Sequence, residues 1–162
     1  MRLIMLYLAA VVAANLTVAA FGPPAAVLNA LLFIGLDLTT RDRLHERWQG
    51  HRLWPRMAAL IAGGSLLTWL LNRDAGPIAA ASLVAFAAAG ALDAAVYTAL
   101  RRRPTLVRVN GSNAASALVD SLLFPWLAFG SLEAAIVLGL FGAKVVGGAV
   151  WAMVLSRPRS PA

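Results

Sequence analysis

An all-α membrane helix bundle is the fold class this sequence predicts, and three observations predict it. Of its 162 residues, 60% are hydrophobic and only 13% charged, against about 25% charged in ordinary soluble domains. A chain this short cannot hide so much apolar surface in one globular core. Apolar runs close to bilayer length recur between breaks rich in Pro, Gly and Arg, and an α-helix needs about 20 residues to cross a hydrocarbon layer of roughly 30 Å. Finally, basic residues collect on alternate breaks. The expectation is a polytopic bundle of six transmembrane helices forming one domain over 1–156, with a short basic tail at 157–162.

The first helix, at about 3–21, starts on apolar residues and lacks a small-residue cleavage site, so it is expected to be retained and not removed as a signal peptide. Gly22-Pro23-Pro24 divides it from the second, at about 24–43. Pro55 opens the third, at about 55–72, and Asn72-Arg73-Asp74 with Gly76-Pro77 precedes the fourth, at about 77–100. Arg101-Arg102-Arg103-Pro104 closes the fourth. Gly130-Ser131 separates the fifth, at about 112–131, from the sixth, at about 132–156, in a tight hairpin.

The second helix carries the least ordinary stretch, "GLDLTTRDRLHERW" at 35–48. Residues 25–38 give only 14 mostly apolar positions, about 21 Å at 1.5 Å per residue, which is too short to span. The helix must therefore continue through Asp37 to Arg41 or Arg43. That carries a carboxylate below the membrane surface, with Arg41 one turn on in the favourable acid-to-base order. Arg43, Arg47 and Trp48 fit a snorkelling flank with an aromatic anchor. A short aspartate cannot snorkel far.

Twelve of the 14 basic residues (Arg2, Arg41, Arg43, Arg47, Arg52, Arg56, Arg101, Arg102, Arg103, Arg108, Arg157 and Arg159) fall on one side of this six-helix arrangement. Only Arg73 falls on the other, and Lys144 lies within a helix. Cytoplasmic loops carry the excess of Lys and Arg, so both termini are expected in the cytoplasm and the chain in the inner (plasma) membrane. The lipid bilayer thus accounts for the net charge of +7, and no nucleic-acid partner is expected. Without cysteine there are no disulfides and no thiolate chemistry. His45 and His51 sit in a charged loop with no third ligand at suitable spacing, so no metal site is expected. Ser116 and Ser121 have no membrane histidine to act as base. Neither a catalytic residue nor a cofactor is expected, and the chain is read as a non-enzyme.

Ionisable residues inside spans are costly and usually face the bundle interior or a water-filled cavity. Asp93 and Asp120 come out roughly 10 Å from the cytoplasmic end at 1.5 Å per residue, with Asp37 at a similar level. Lys144 lies near the midplane and Asn15 at a comparable depth in the first helix. Asn113, Ser116, Asp120 and Phe124 are spaced 3, 4 and 4 apart, which places them on one helix face. Asp93 and Tyr97 share another face. Gly139, Gly142 and Gly147-Gly148 would allow close approach around Lys144. An Asp120–Lys144 ion pair could fix packing, but three acids against one midplane lysine leave carboxylates for hydration or ligand binding.

These stretches carry a resemblance. "AANLTVAAFGP" (13–23), "GLDLTTRDRLHERW" (35–48), "ALDAAVYTALRRR" (91–103) and "SNAASALVDSLLFPWLAFG" (112–130) occur in the order seen in the VUT family. Its characterised members are small six-helix proteins that import queuosine precursors, the 7-deazaguanine bases. The resemblance covers nearly the whole chain and implies a transporter. Residue by residue it points to Asn15, Asp37, Arg41, Asp42, Asp93, Tyr97, Asn113, Ser116, Asp120, Ser121 and Phe124. Where family members often have a glutamate three residues before the fourth-helix aspartate, this chain has Gly90.

The residues suit such a cargo. A guanine-like edge presents adjacent N–H donors that one carboxylate can accept, and a flat ring favours an aromatic face. Asp120 with Phe124, or Asp93 with Tyr97, would supply both, while Lys144 or Asn15 could hold the remaining acceptors. A substrate-binding membrane subunit needing an energy-coupling partner is the alternative; transport by this chain alone would exclude it. A structural scaffold is the third reading, which tolerance of neutral substitution at Asp120 and Lys144 together would favour. Three helices per half allow an inverted 3+3 arrangement, and a homo-oligomer is compatible with everything above.

Overall fold

The computed structural model describes residues 1–48 and 52–156; His51, Arg157, Arg159 and the rest of the tail lie outside the described residues. The described chain is helical, with no strand. Helix α1 is Arg2–Phe21. Helix α2 runs unbroken through Pro23–Asn29, a π-helical turn Ala30–Ile34 and Gly35–Trp48. Helix α3 is Leu53–Leu71, and a 3-10 turn, Arg73–Ala75, leads into α4, Gly76–Ala99. Helices α5 and α6 are Thr105–Phe129 and Ala134–Ser156.

The breaks act as their chemistry requires. Gly22 ends α1 at a φ of 72°, a left-handed conformation that glycine adopts without Cβ strain. Pro23 and Pro24 follow in the first turn of α2, where a missing N–H costs nothing. Gly130 caps α5 at a φ of 70° and donates its N–H to the Trp126 carbonyl. Two boundaries differ from the sequence expectation. Helix α5 begins at Thr105 and not near 112, because nothing after Pro104 breaks it. Helix α2 passes through Asp37 and Arg41 as expected, and runs on beyond 43 to Trp48 for the same reason.

Among the described residues, three helical stretches are long and apolar enough to cross a membrane: Arg2–Phe21, Arg73–Ala99 and Ala134–Trp151. Pro23–Asp37 is a shorter apolar stretch, lengthened by the polar half of α2.

The helices close a ring. Helix α1 packs between α3 and α2, α2 against α6, α6 against α5, α5 most extensively against α4, and α4 against α3. Polarity across this ring is opposite to that of a soluble protein. Leu66, Leu70, Leu71, Trp54, Leu138, Val146 and Val154 are exposed on the outside, whereas Asn15, Asn29, Asp37, Arg41, Asp120 and Lys144 are buried within. Lipid solvates the first set at no cost, while buried polar groups can be satisfied only inside the bundle.

Glycine makes the α2–α6 seam tight. A Cβ on Gly35 would come to 2.5 Å from the Gly147 backbone carbon, and one on Gly147 would strike the Leu31 carbonyl oxygen. Leu31 belongs to the π-turn, whose wider winding disturbs the i→i−4 ladder. Beside it, the Trp151 indole N–H donates to the Leu32 carbonyl at 2.9 Å. A backbone acceptor at membrane depth thus gains a donor from the neighbouring helix.

Candidate functional site

Asp120 on α5 and Lys144 on α6 meet inside the ring, with Nζ 2.7 Å from Oδ2 and both side chains at least nine-tenths buried. Lys144 gives a second hydrogen bond to Ser121 Oγ at 3.0 Å. The other carboxylate oxygen, Asp120 Oδ1, has no hydrogen-bond partner. Pro125 adds a local irregularity, since it has no N–H to offer the Ser121 carbonyl four residues back. This turn of α5 therefore exposes more polar character to the interior than an uninterrupted helix would.

The pair borders a cavity at the centre of the ring. It encloses about 320 Å³ of interatomic space including its mouth, of which about 20 Å³ admits the centre of a water molecule. Asn15 and Val18 of α1, Asn29 and Ile34 of α2, Ser82 and Phe86 of α4, Asp120 and Phe124 of α5, and Leu140 and Lys144 of α6 line it. By volume this holds a water or two. Its walls bring two phenyl rings, a carboxylate, an ammonium and two amides together.

Hydrogen bonding fixes how the amides point. Asn29 donates both side-chain hydrogens, to the Ala14 carbonyl at 3.1 Å and to Thr17 Oγ1 at 2.6 Å. A carbonyl can only accept, so the Asn29 amide cannot be turned round, and its oxygen is the atom left over. Thr68 sends its one hydroxyl proton to the Gly64 carbonyl. It must therefore accept from Asn15 Nδ2, at 3.2 Å. Asn15 Oδ1 then accepts from Ser82 Oγ at 2.6 Å, which leaves the serine oxygen's lone pairs. The wall thus offers acceptors at Asp120 Oδ1, Asn29 Oδ1 and Ser82 Oγ, and one remaining N–H on Lys144.

A smaller cavity, admitting a water centre over about 10 Å³, shares Phe86, Asp120 and Lys144 with the first and adds Arg41 and Ser116. Asp120 and Lys144 stand between the two. Tyr7 of α1, fully buried, lies within electrostatic reach of Asp37, Arg41 and Asp120. Two carboxylates (Asp37, Asp120) and two cations (Arg41, Lys144) are buried among the described residues, so their formal charges cancel.

The residues singled out from the sequence divide into groups. Asn15, Asp120, Phe124 and Lys144 line the central cavity, and Arg41 and Ser116 the smaller one. Ser121 sits behind Lys144 as its acceptor, and Asp37 is buried on α2 near Tyr7. Asp93 and Tyr97 lie elsewhere, further along α4, where the Arg108 guanidinium lies 4.5 Å over the Tyr97 ring. Asn113 is exposed. The side chains of Asp42 and His45 lie outside the description. Among the described residues no group of three His, Cys, Asp or Glu is placed to hold a metal ion.

Sequence reasoning missed Asn29, Ser82 and Phe86. Each carried a signal. Asn29 is the one polar residue in "AAVLNALLFIG", and Ser82 and Phe86 continue the face of Asp93 and Tyr97 back along α4.

No curated protein and no solved structure matches this chain. A family model does, over residues 3–157, with the description "putative vitamin uptake transporter". With that match over almost its whole length, and with a polar site enclosed by apolar-faced helices, the chain belongs to this family of membrane transporters.

Proposed function

We propose that the protein imports a purine-like base of the 7-deazaguanine class, a queuosine precursor or close relative, and that the central cavity is where it binds. The observation that supports this best is the Asp120 carboxylate, held by Lys144 through one oxygen and open through the other, beside Phe86 and Phe124. A guanine-like edge carries neighbouring N–H donors for Asp120 Oδ1 and Asn29 Oδ1, and a carbonyl for the spare N–H of Lys144. The phenyl rings would cover its faces, a stacking contribution of about 1–3 kcal/mol for bases on aromatic side chains. A bicyclic base exceeds the free space, so the ring must widen to load it and contract around it, as in other gated sites.

The direct test is uptake of labelled 7-deazaguanine bases by cells that lack their own importer and express this chain. Saturable uptake above vector-only cells is expected; uptake equal to vector would overturn the proposal. Uptake in liposomes containing only this chain would further separate a self-sufficient transporter from a capture subunit.

We also place both termini in the cytoplasm, with six spans, on the strength of the twelve-to-one basic asymmetry. Reporter fusions at Asn72 and Gly130 are expected to report the outside and one at Pro104 the inside. A reversed signal at two of these sites would overturn this orientation.

A further inference from the structure

We infer that the site selects an uncharged base over the same base carrying an ammonium group, and that Lys144 determines this selectivity by acting as a tethered counter-cation. The inference rests on the base-transport reading above and deepens it. A carboxylate buried in a membrane protein would ordinarily favour a cationic ligand, because an uncompensated buried charge is costly. Here the place of the cation is already taken. Lys144 Nζ sits 2.7 Å from Asp120 Oδ2, anchored from behind by Ser121 Oγ at 3.0 Å. Only Oδ1 remains, which suits a neutral N–H donor.

Among the described residues, no second carboxylate lines either cavity to offset a cationic arm. Towards the smaller cavity such an arm meets the same Lys144–Asp120 pair, with Arg41 also in the lining. Towards Asn15, Asn29 and Ser82 it meets neutral groups, which can accept a hydrogen bond but carry no charge to offset its own. Since the formal charges of these buried side chains cancel, a cation would add an excess charge there or would have to displace Lys144 from both its partners. One position could reverse this. A Cβ built on Gly90 meets nothing within 4 Å, and Gly90 lies one turn along α4 from Phe86, next to Ala89 of the smaller cavity. The first side-chain atom of an acidic residue would meet no clash there.

The test is ligand binding to the full chain in detergent, using 7-ethyl-7-deazaguanine and 7-aminomethyl-7-deazaguanine, which match in size and differ by one positive charge at neutral pH. The ethyl compound is expected to bind at least about tenfold more tightly to the wild-type protein, on the scale of an uncompensated buried charge. Lys144→Met is expected to close or reverse that ratio, because the carboxylate then lacks a cation. Gly90→Glu is expected to move the ratio the same way with Lys144 in place, and it carries the test if Lys144→Met yields no folded protein. Equal affinities in the wild type, or a ratio unmoved in the folded variants, would overturn the selectivity role while leaving base binding intact. Binding of neither compound would overturn the base reading, and this inference with it.

Discussion

Asp120→Asn is expected to leave the protein in the membrane and remove most of its uptake. The amide keeps the carboxylate's shape, so one oxygen can still accept from Lys144, 2.7 Å away in the native pair. The second position becomes an NH₂ facing a cargo that also presents N–H donors. Two charge-assisted acceptors are lost as such, and one becomes a clash of like donors. On the scale of hydrogen bonds to charged groups the cost is about 1.5–3 kcal/mol, roughly a ten- to hundredfold loss of affinity. A second effect must be separated from this, because the substitution strands the Lys144 charge in the interior, and breaking a buried pair from one side is destabilising. Uptake per folded molecule distinguishes the two, measured for Asp120→Asn and for the double variant Asp120→Asn/Lys144→Met. The double variant removes the stranded charge and is expected to recover abundance but not uptake. Recovery of normal uptake would mean that the pair serves packing alone.

What the sequence could reveal of this site followed from helix periodicity and from the cost of charge in lipid. Asp120, Ser116 and Phe124 fall on one face by spacing alone, and burial follows because an aspartate in a span has nowhere else to go. Asn113 shares their spacing but is exposed. Helix α5 begins eight residues before it, and periodicity does not say where a helix leaves the bundle. Asp93 and Tyr97 show the same limit: they share a face with Phe86 and Ser82, yet only the latter two reach the cavity. The face was legible, but the depth at which neighbouring helices converge on it was not. Asn29 escaped notice because its role is positional. It holds α2 to the Ala14 carbonyl and Thr17 of α1, and only the turn at Gly22 brings those residues together. The π-turn at Ala30–Ile34 had no sequence signature, since Ala, Leu, Phe and Ile suit an α-helix equally well.

Gly147→Ala is expected to be among the most damaging single-methyl changes in the chain, while Gly142→Ala on the same helix is expected to be neutral or stabilising. Both replace a helical glycine, and alanine is favoured there by about 1 kcal/mol from backbone propensity alone. At Gly142 the new Cβ meets nothing within 4 Å, so that preference is unopposed. At Gly147 it would strike the Leu31 carbonyl oxygen, and the atoms around it are Leu31 backbone. Backbone cannot rotate away as a side chain would, so α6 and α2 must separate. Forcing a methylene into a packed interior costs typically about 1–3 kcal/mol, and separation here would also pull Trp151 from the Leu32 carbonyl. The consequence reaches the site, because Lys144 lies one turn before Gly147 on α6, and Asn29, Ile34 and Arg41 lie on the α2 segment it faces. Thermal unfolding of the two variants in detergent, with uptake per folded molecule, checks both halves of the expectation. A lower midpoint for Gly147→Ala with weakened uptake, beside an unchanged or raised midpoint for Gly142→Ala, is the expected result. Equal midpoints would mean that α2 and α6 do not depend on backbone contact at this seam.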